Sequence, residues 1–207
     1  VKFAVAESNI KYKGRNDLLI ASFSDSASVA GAFTTSSITS PTIGFCRESL
    51  KHAKAKLLIV NSGNANCFTG QYGVEVIEET AKNAAKLFNC KKNEIFISST
   101  GVIGEKLPVA KIINKLPECK LNLGTASFND AAKAIMTTDS FYKVSSIFTH
   151  IAGSPVTINA ISKGAGMAGP NLATVLTYVF TDADIPSEIL QKIFNNAIYF
   201  FRRIIFC

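Results

Sequence analysis

Lys56-Leu-Leu-Ile-Val-Asn61, followed at once by Ser62-Gly-Asn-Ala-Asn66, is an apolar run that stops in a cluster of turn-forming residues. A short continuous run of this kind, bounded by Gly and Asn, has the pattern of a buried strand. Beyond it Val74, Ile77, Ala81, Ala84, Ala85 and Phe88 recur at helical spacing, with Glu75, Glu78, Lys82 and Lys86 between them. That pattern predicts an amphipathic helix with one face buried. Strand, turn and helix thus follow one another, and the order repeats: Glu94-Ile-Phe-Ile-Ser-Ser99 runs into Thr100-Gly-Val-Ile-Gly104, ahead of a helix predicted over 109–115.

Upstream, Leu18-Leu-Ile-Ala-Ser-Phe23 reads as a further buried strand between Asp17 and Ser24. Downstream, Ser127-x-x-Asp130 has the form of a capping box ahead of a helix over 131–136. Alternating Val156-Thr-Ile-Asn-Ala-Ile-Ser162 predicts another strand, Gly164, Gly166, Gly169 and Pro170 interrupt the chain, and Val175 to Thr181 resumes extended structure. Ile189, Ile193 and Ala197 fall on one face of a helix predicted from Pro186 to Phe201. Strands and helices alternate without a long linker, low-complexity tract or fixed repeat, so the expectation is one mixed α/β domain over 1–207. The pattern leaves parallel and antiparallel pairing open.

The composition fits a packed core: 207 residues, 47% hydrophobic and 18% charged, which is outside the disordered range. No apolar run reaches the roughly 20 residues of a membrane span, because Arg202 and Arg203 interrupt the terminal one. The start Val-Lys-Phe-Ala-Val-Ala-Glu-Ser8 lacks the features of a secretory signal, and the expected location is the cytoplasm. Five cysteines without a C-x-x-C pair support neither a disulfide framework nor a zinc site. The net charge of +7 comes from scattered residues, with small clusters at Lys51 to Lys56 and at Lys91 and Lys92. None is interleaved with aromatics, so a solvated cationic surface is expected and no nucleic-acid partner.

The two histidines, His52 and His150, carry no surrounding motif, and no Ser-His-Asp set is legible. Lys163-Gly-Ala-Gly-Met-Ala-Gly-Pro-Asn-Leu-Ala-Thr174 is different: a glycine-rich loop delivers Ala173-Thr174 directly into an apolar strand. On spacing alone it reads either as a plain turn or as a nucleophile site. In the second reading, scission before Thr174 gives its hydroxyl an α-amine neighbour, and an amine with a pKa near 8 can serve as general base.

The segment from Lys163 resembles the self-cleavage signature of the ornithine acetyltransferase family, also called glutamate N-acetyltransferases. Other blocks agree in order: Ala32-Phe-Thr-Thr, Asn61-Ser-Gly-Asn-Ala-Asn-Cys-Phe-Thr-Gly70, Ser98-Ser-Thr-Gly-Val-Ile-Gly104 and Ile135-Met-Thr-Thr-Asp139. The resemblance implies a layered α-β-β-α sandwich akin to the N-terminal-nucleophile hydrolases, cut between Ala173 and Thr174 into an α chain of 1–173 and the start of a β chain from 174. It implies Thr174 as nucleophile, Thr100 and Gly101 as the oxyanion hole, and Thr137 and Lys163 as substrate contacts alongside Thr174. Asn61 to Asn66 reads as a structural turn before a ligand loop, and Asp139 as a turn or cap residue before an acid.

The implied reaction moves acetyl from N-acetylornithine to glutamate in arginine biosynthesis, through acetyl-threonine, with no metal or organic cofactor. Acetyl-coenzyme A is a further acetyl donor in some members, and paired α and β fragments form heterotetramers. The family's chain runs on past the position of Ile204, so the site is expected to be unfinished in these 207 residues and the apolar helix from Pro186 to favour aggregation. The rival expectations are an aminopeptidase-like hydrolase that keeps the cut, and an inert fragment whose Ala173–Thr174 bond stays intact.

Overall fold

A computed structural model describes residues 1–164 and 175–205. The elements are β1 (Lys2–Ala6), β2 (Leu18–Ser28), α1 (Pro41–Leu50), β3 (Lys54–Asn64), α2 (Gly70–Phe88), a 3-10 turn (Lys92–Glu94), β4 (Ile95–Val102), α3 (Val109–Ile113), α4 (Leu116–Leu121), α5 (Phe128–Ala134), β5 (Lys143–Ile151), β6 (Ser154–Lys163), β7 (Leu176–Thr181) and α6 (Ser187–Ile205). The fold is mixed α+β, with two sheets ordered β1-β2-β3-β4 and β5-β6-β7. Pairing is antiparallel except for β3 with β4. α2 lies between those two in the chain and makes the crossover that parallel neighbours require.

Alternation along the strands sorts the first sheet into two faces. Leu18, Ile20, Leu57, Ile59, Ile95 and Ile97 pack against Val76, Ile77, Ala81 and Ala84 of α2 and against Ile112, Leu116 and Cys119 of α3 and α4. Phe3, Leu19, Ala21, Leu58 and Val60 face the other way, toward Ala131, Ala132, Ala134 and Ile135 and toward Ile161, Leu176, Tyr178 and Phe180 of the second sheet. Helices, sheet and sheet are thus stacked in layers. The seam between the sheets is an aromatic cluster in which Phe180 meets Phe3 and Phe128 edge-on, with centroids 5.3 and 5.8 Å apart. On the face of the second sheet turned away from the first, Ile147 and Val179 are 56% and 53% exposed.

The capping box forms as expected: Ser127 Oγ accepts from the Asp130 N–H and Asp130 Oδ2 from the Ser127 N–H, at 3.2 and 2.9 Å. Its helix, however, spans 128–134 rather than 131–136. The Ala134 carbonyl is engaged by Ser62 Oγ at 2.8 Å, and the chain leaves the helix there. The helix expected over 109–115 is α3, which ends at Ile113, and a second short helix that the pattern does not mark, α4, follows with Pro117 in its first turn. A proline is tolerated at such a position but not inside a continuous helix. β1, α1 and β5 are elements that the apolar pattern does not mark.

Candidate active site

β3 and β4 run side by side with Ser62 opposite Thr100 and Gly63 opposite Gly101. The ends of parallel strands are where α/β sheets place their sites. Gly101 has φ +136°, and a Cβ built on it would lie 2.3 Å from the Gly63 carbonyl carbon and 2.5 Å from the Asn64 nitrogen. Only glycine lets the two backbones approach so closely.

Asn61, Asn64 and Asn66 are buried and spend their side chains on this turn. Asn61 accepts from Ser99 Oγ and donates to the Asn64 carbonyl, at 2.7 and 2.8 Å. Asn64 Oδ1 accepts from the Asn66 N–H at 2.7 Å, and Asn66 Nδ2 donates to the Gly73 carbonyl at 3.0 Å. These bonds make the cluster a structural turn that holds the strand ends.

Against those ends stands Lys163, the last residue of β6, which is 3% exposed. Its Nζ donates to Thr100 Oγ1 at 3.0 Å and to Thr137 Oγ1 at 2.8 Å. Three residues widely separated in the chain therefore meet around one ammonium. Burial pushes the Lys163 ammonium below the ordinary lysine range; Asp139 opposes that and Lys143 adds to it.

Thr137 comes from the loop after α5. Ser62 anchors that loop through Ala134, and the Arg15 guanidinium, stacked 5.0 Å from the Tyr12 ring centroid, donates to the Met136 carbonyl. Asp139 completes the loop. Its Oδ1 accepts from Lys143 Nζ at 2.7 Å and from the Gly164 N–H at 2.9 Å, while Oδ2 accepts from the Thr137 N–H at 3.3 Å. Burial acts to raise its pKa, yet the bonds from Lys143 and from the two backbone groups outweigh it and leave the carboxyl below the usual aspartate range.

Thr100, Gly101, Thr137 and Lys163 are thus gathered at one place. Ala173 and Thr174 lie outside the described residues, as do Gly166, Gly169, Pro170 and Cys207. The roles of Arg15, Ser62 and Lys143 carry no signal in the sequence, since each depends on a partner brought up by folding or by a turn. His52 and His150 are exposed. Cys46 and Cys119 are buried free thiols, both pushed up to about 11, first of all by burial. Among the described residues no group of His, Cys, Asp and Glu could hold a metal ion, and no helix is long and apolar enough to cross a membrane.

The ArgJ family model matches residues 2–203. The arginine biosynthesis bifunctional proteins ArgJ of Bartonella henselae and of Agrobacterium fabrum are each 47% identical over 198 residues, 96% of this chain and 48% of their own length. The chain therefore spans about half the length of these relatives. Among solved structures, an arginine biosynthesis bifunctional protein ArgJ of Bacillus halodurans aligns with a TM-score of 0.77 at 29% identity, covering 82% of this chain and 89% of that one. Ornithine acetyltransferase of Mycobacterium tuberculosis, complexed with ornithine, aligns at 0.74 and 27%, covering 84% and 92%. With a family match along almost its whole length and a fold that aligns with those structures, the chain belongs to the ArgJ family.

Proposed function

We propose that this chain carries the nucleophile half of a glutamate N-acetyltransferase of arginine biosynthesis, which moves acetyl from N-acetylornithine to glutamate. The observation that carries the reading is the buried Lys163 ammonium bonded to both Thr100 and Thr137, one residue ahead of the segment that leads to Thr174. Leu176, two residues beyond Thr174 in the chain, is the register partner of Lys163. A second support is a matter of length. The solved chains are close in size to this one, whereas the sequence relatives are about twice as long, as expected for a precursor cut near its middle.

In this mechanism the Thr174 hydroxyl first attacks the Ala173 carbonyl. The C–O bond forms, the C–N bond breaks, and the amine takes up the hydroxyl proton. Water then hydrolyses the ester, leaving an α chain that ends at Ala173 and a β chain that begins at Thr174. Its free amine takes the hydroxyl proton as Thr174 attacks the acetyl carbon and returns it to the departing ornithine nitrogen. The glutamate amine attacks acetyl-threonine in the reverse sense.

Thr100 is suited to the oxyanion. With a lone pair engaged by Lys163, its hydroxyl proton is free to point at the developing charge, and the Lys163 bond polarises it further. Together with the Gly101 N–H it forms the oxyanion hole, where one donor contributes about 3 kcal/mol. Lys163 and Thr137 hold the carboxylate or amide of the substrate. The chemistry needs no metal or organic cofactor, and acetyl-coenzyme A enters, where it is used, as an alternative acetyl donor. The cut protein works in the cytoplasm as paired α and β chains, two pairs to a heterotetramer.

Intact-mass measurement tests the proposal. The expressed protein should yield a fragment beginning at Thr174, and Thr174→Ala should leave one uncut species. An unbroken Ala173–Thr174 bond, both in this chain and in a form extended to the full length of its relatives, would refute it. Release of free acetate undiminished by added glutamate would instead assign a hydrolase.

A further inference from the structure

Lys163 and Thr137 reach each other from different elements, the end of β6 and the loop after α5, and a contact of 2.8 Å between two such segments needs something that fixes both backbones. One side chain touches both. Asp139 is 8% exposed and accepts the N–H of Thr137 on one oxygen and the N–H of Gly164, the residue after Lys163, on the other. Lys143 at the start of β5 balances its charge from 2.7 Å. The same carboxylate is also tied to the point where the chain departs toward residue 174.

We propose that Asp139 is the positioning residue of this site: its carboxylate, bridging the Thr137 and Gly164 backbone amides, sets the separation at which Lys163 meets Thr100 and Thr137. Its contacts among the described residues are Lys143 and the two amides, so it acts through Lys163 and Thr137. Its catalytic consequence rests on the function proposed above, whereas the bridge itself does not.

The bridge calls for two acceptor oxygens, so Asp139→Asn is the informative change. An amide keeps one acceptor and turns a donor toward the other N–H. Glutamate keeps both oxygens on a longer stem and is the conservative rescue.

Lysine 13Cε labelling reads the result directly, with the Lys163 resonance identified by its loss in Lys163→Met. In the unmodified chain that resonance should stand apart from the solvated lysines. In Asp139→Asn it should move to join them, and in Asp139→Glu it should return at least halfway. A folded Asp139→Asn chain with an unmoved Lys163 resonance overturns the proposal.

Hydrogen exchange on the unmodified chain decides the matter if Asp139→Asn does not fold. The amides of Thr137 and Gly164 should both exchange at least about tenfold slower than an open peptide, because both are hydrogen-bonded, and exchange of both at the open rate overturns the bridge. In the active enzyme, Asp139→Asn should lower kcat tenfold or more, with partial recovery in Asp139→Glu. Absence of turnover in the unmodified enzyme would count against the proposed function, while the resonance and the amides would still decide the bridge.

Discussion

Replacing Gly101 by alanine probes the closest backbone approach in the site. The added Cβ would lie 2.3 Å from the Gly63 carbonyl carbon, 2.5 Å from the Asn64 nitrogen and 2.6 Å from the Gly63 oxygen. These are backbone atoms of the neighbouring strand, which cannot rotate away, so β3 and β4 must separate where they are paired. The new residue is also held at φ +136°, a conformation costing a non-glycine residue about 1–3 kcal/mol, and overpacking adds about 1–3 kcal/mol. The expected loss is therefore about 2–6 kcal/mol, a large part of a typical domain's stability of about 5–15 kcal/mol. Gly104 supplies the control, since it too has positive φ, at +83°, but nothing lies within 4 Å of its built Cβ. Gly104→Ala should cost about 1 kcal/mol. Urea titration of both variants isolates the collision from the backbone preference. Midpoints for Gly101→Ala and Gly104→Ala that agree within 1 kcal/mol of stability would refute the reasoning.

Thr100→Val removes the hydroxyl proposed to meet the oxyanion while keeping the side-chain volume. It should lower kcat about 10²- to 10³-fold, as read by ornithine release, and should also cost about 1–3 kcal/mol in a denaturant melt, because the buried Lys163 ammonium loses one of its two hydroxyl acceptors. Ser62→Ala breaks the bond from β3 to the Ala134 carbonyl and leaves that buried acceptor unpaired, which should cost about 1–3 kcal/mol in a denaturant melt. Acidification should expose the role of Asp139. Its folded pKa is depressed, so its stabilisation is complete above the unfolded value near 4 and is lost as pH falls through the folded value. Asp139→Asn should therefore flatten the acid limb of the stability curve, and an unchanged limb would count against the carboxylate bonds. Cys46 and Cys119, buried and pushed up to about 11, should resist iodoacetamide at neutral pH until the chain is unfolded, as followed by mass spectrometry.

The strands β2, β3, β4 and β6 and the helix α2 are legible because burial on one or both faces writes itself into the sequence as apolar runs or periodicity. β5 is not, since Ser145, Ser146, Thr149 and His150 are all exposed and leave nothing for an apolar pattern to register. α1 is missed for another reason. Its signal is Ser40-Pro41, a cap followed by a proline in the first turn, not an apolar stripe. In the site, glycine at 101 and the asparagines at 61, 64 and 66 announce a turn, and the structure adds why each atom is needed. The convergence of Thr100, Thr137 and Lys163 could not come from spacing, because it is made by packing one sheet on the other. The motif resemblance supplied those residues, and the geometry supplied their mutual contact.

The pairing of Lys163 bears on whether the cluster exists for stability or for chemistry. A buried ammonium loses several kcal/mol of hydration, and its acceptors among the described residues are two hydroxyls, which return far less than a carboxylate in direct contact. Asp139, the nearby acid, is instead bonded to Lys143 and to two backbone amides. An apolar side chain at 163 would satisfy the layer between the sheets at lower cost, as Ile161 does two residues earlier. Had stability been the purpose, the lysine and the carboxylate would have been joined. Their separation keeps a positive charge beside Thr100, which under the proposed function is where a substrate's negative charge adds what the described residues do not supply.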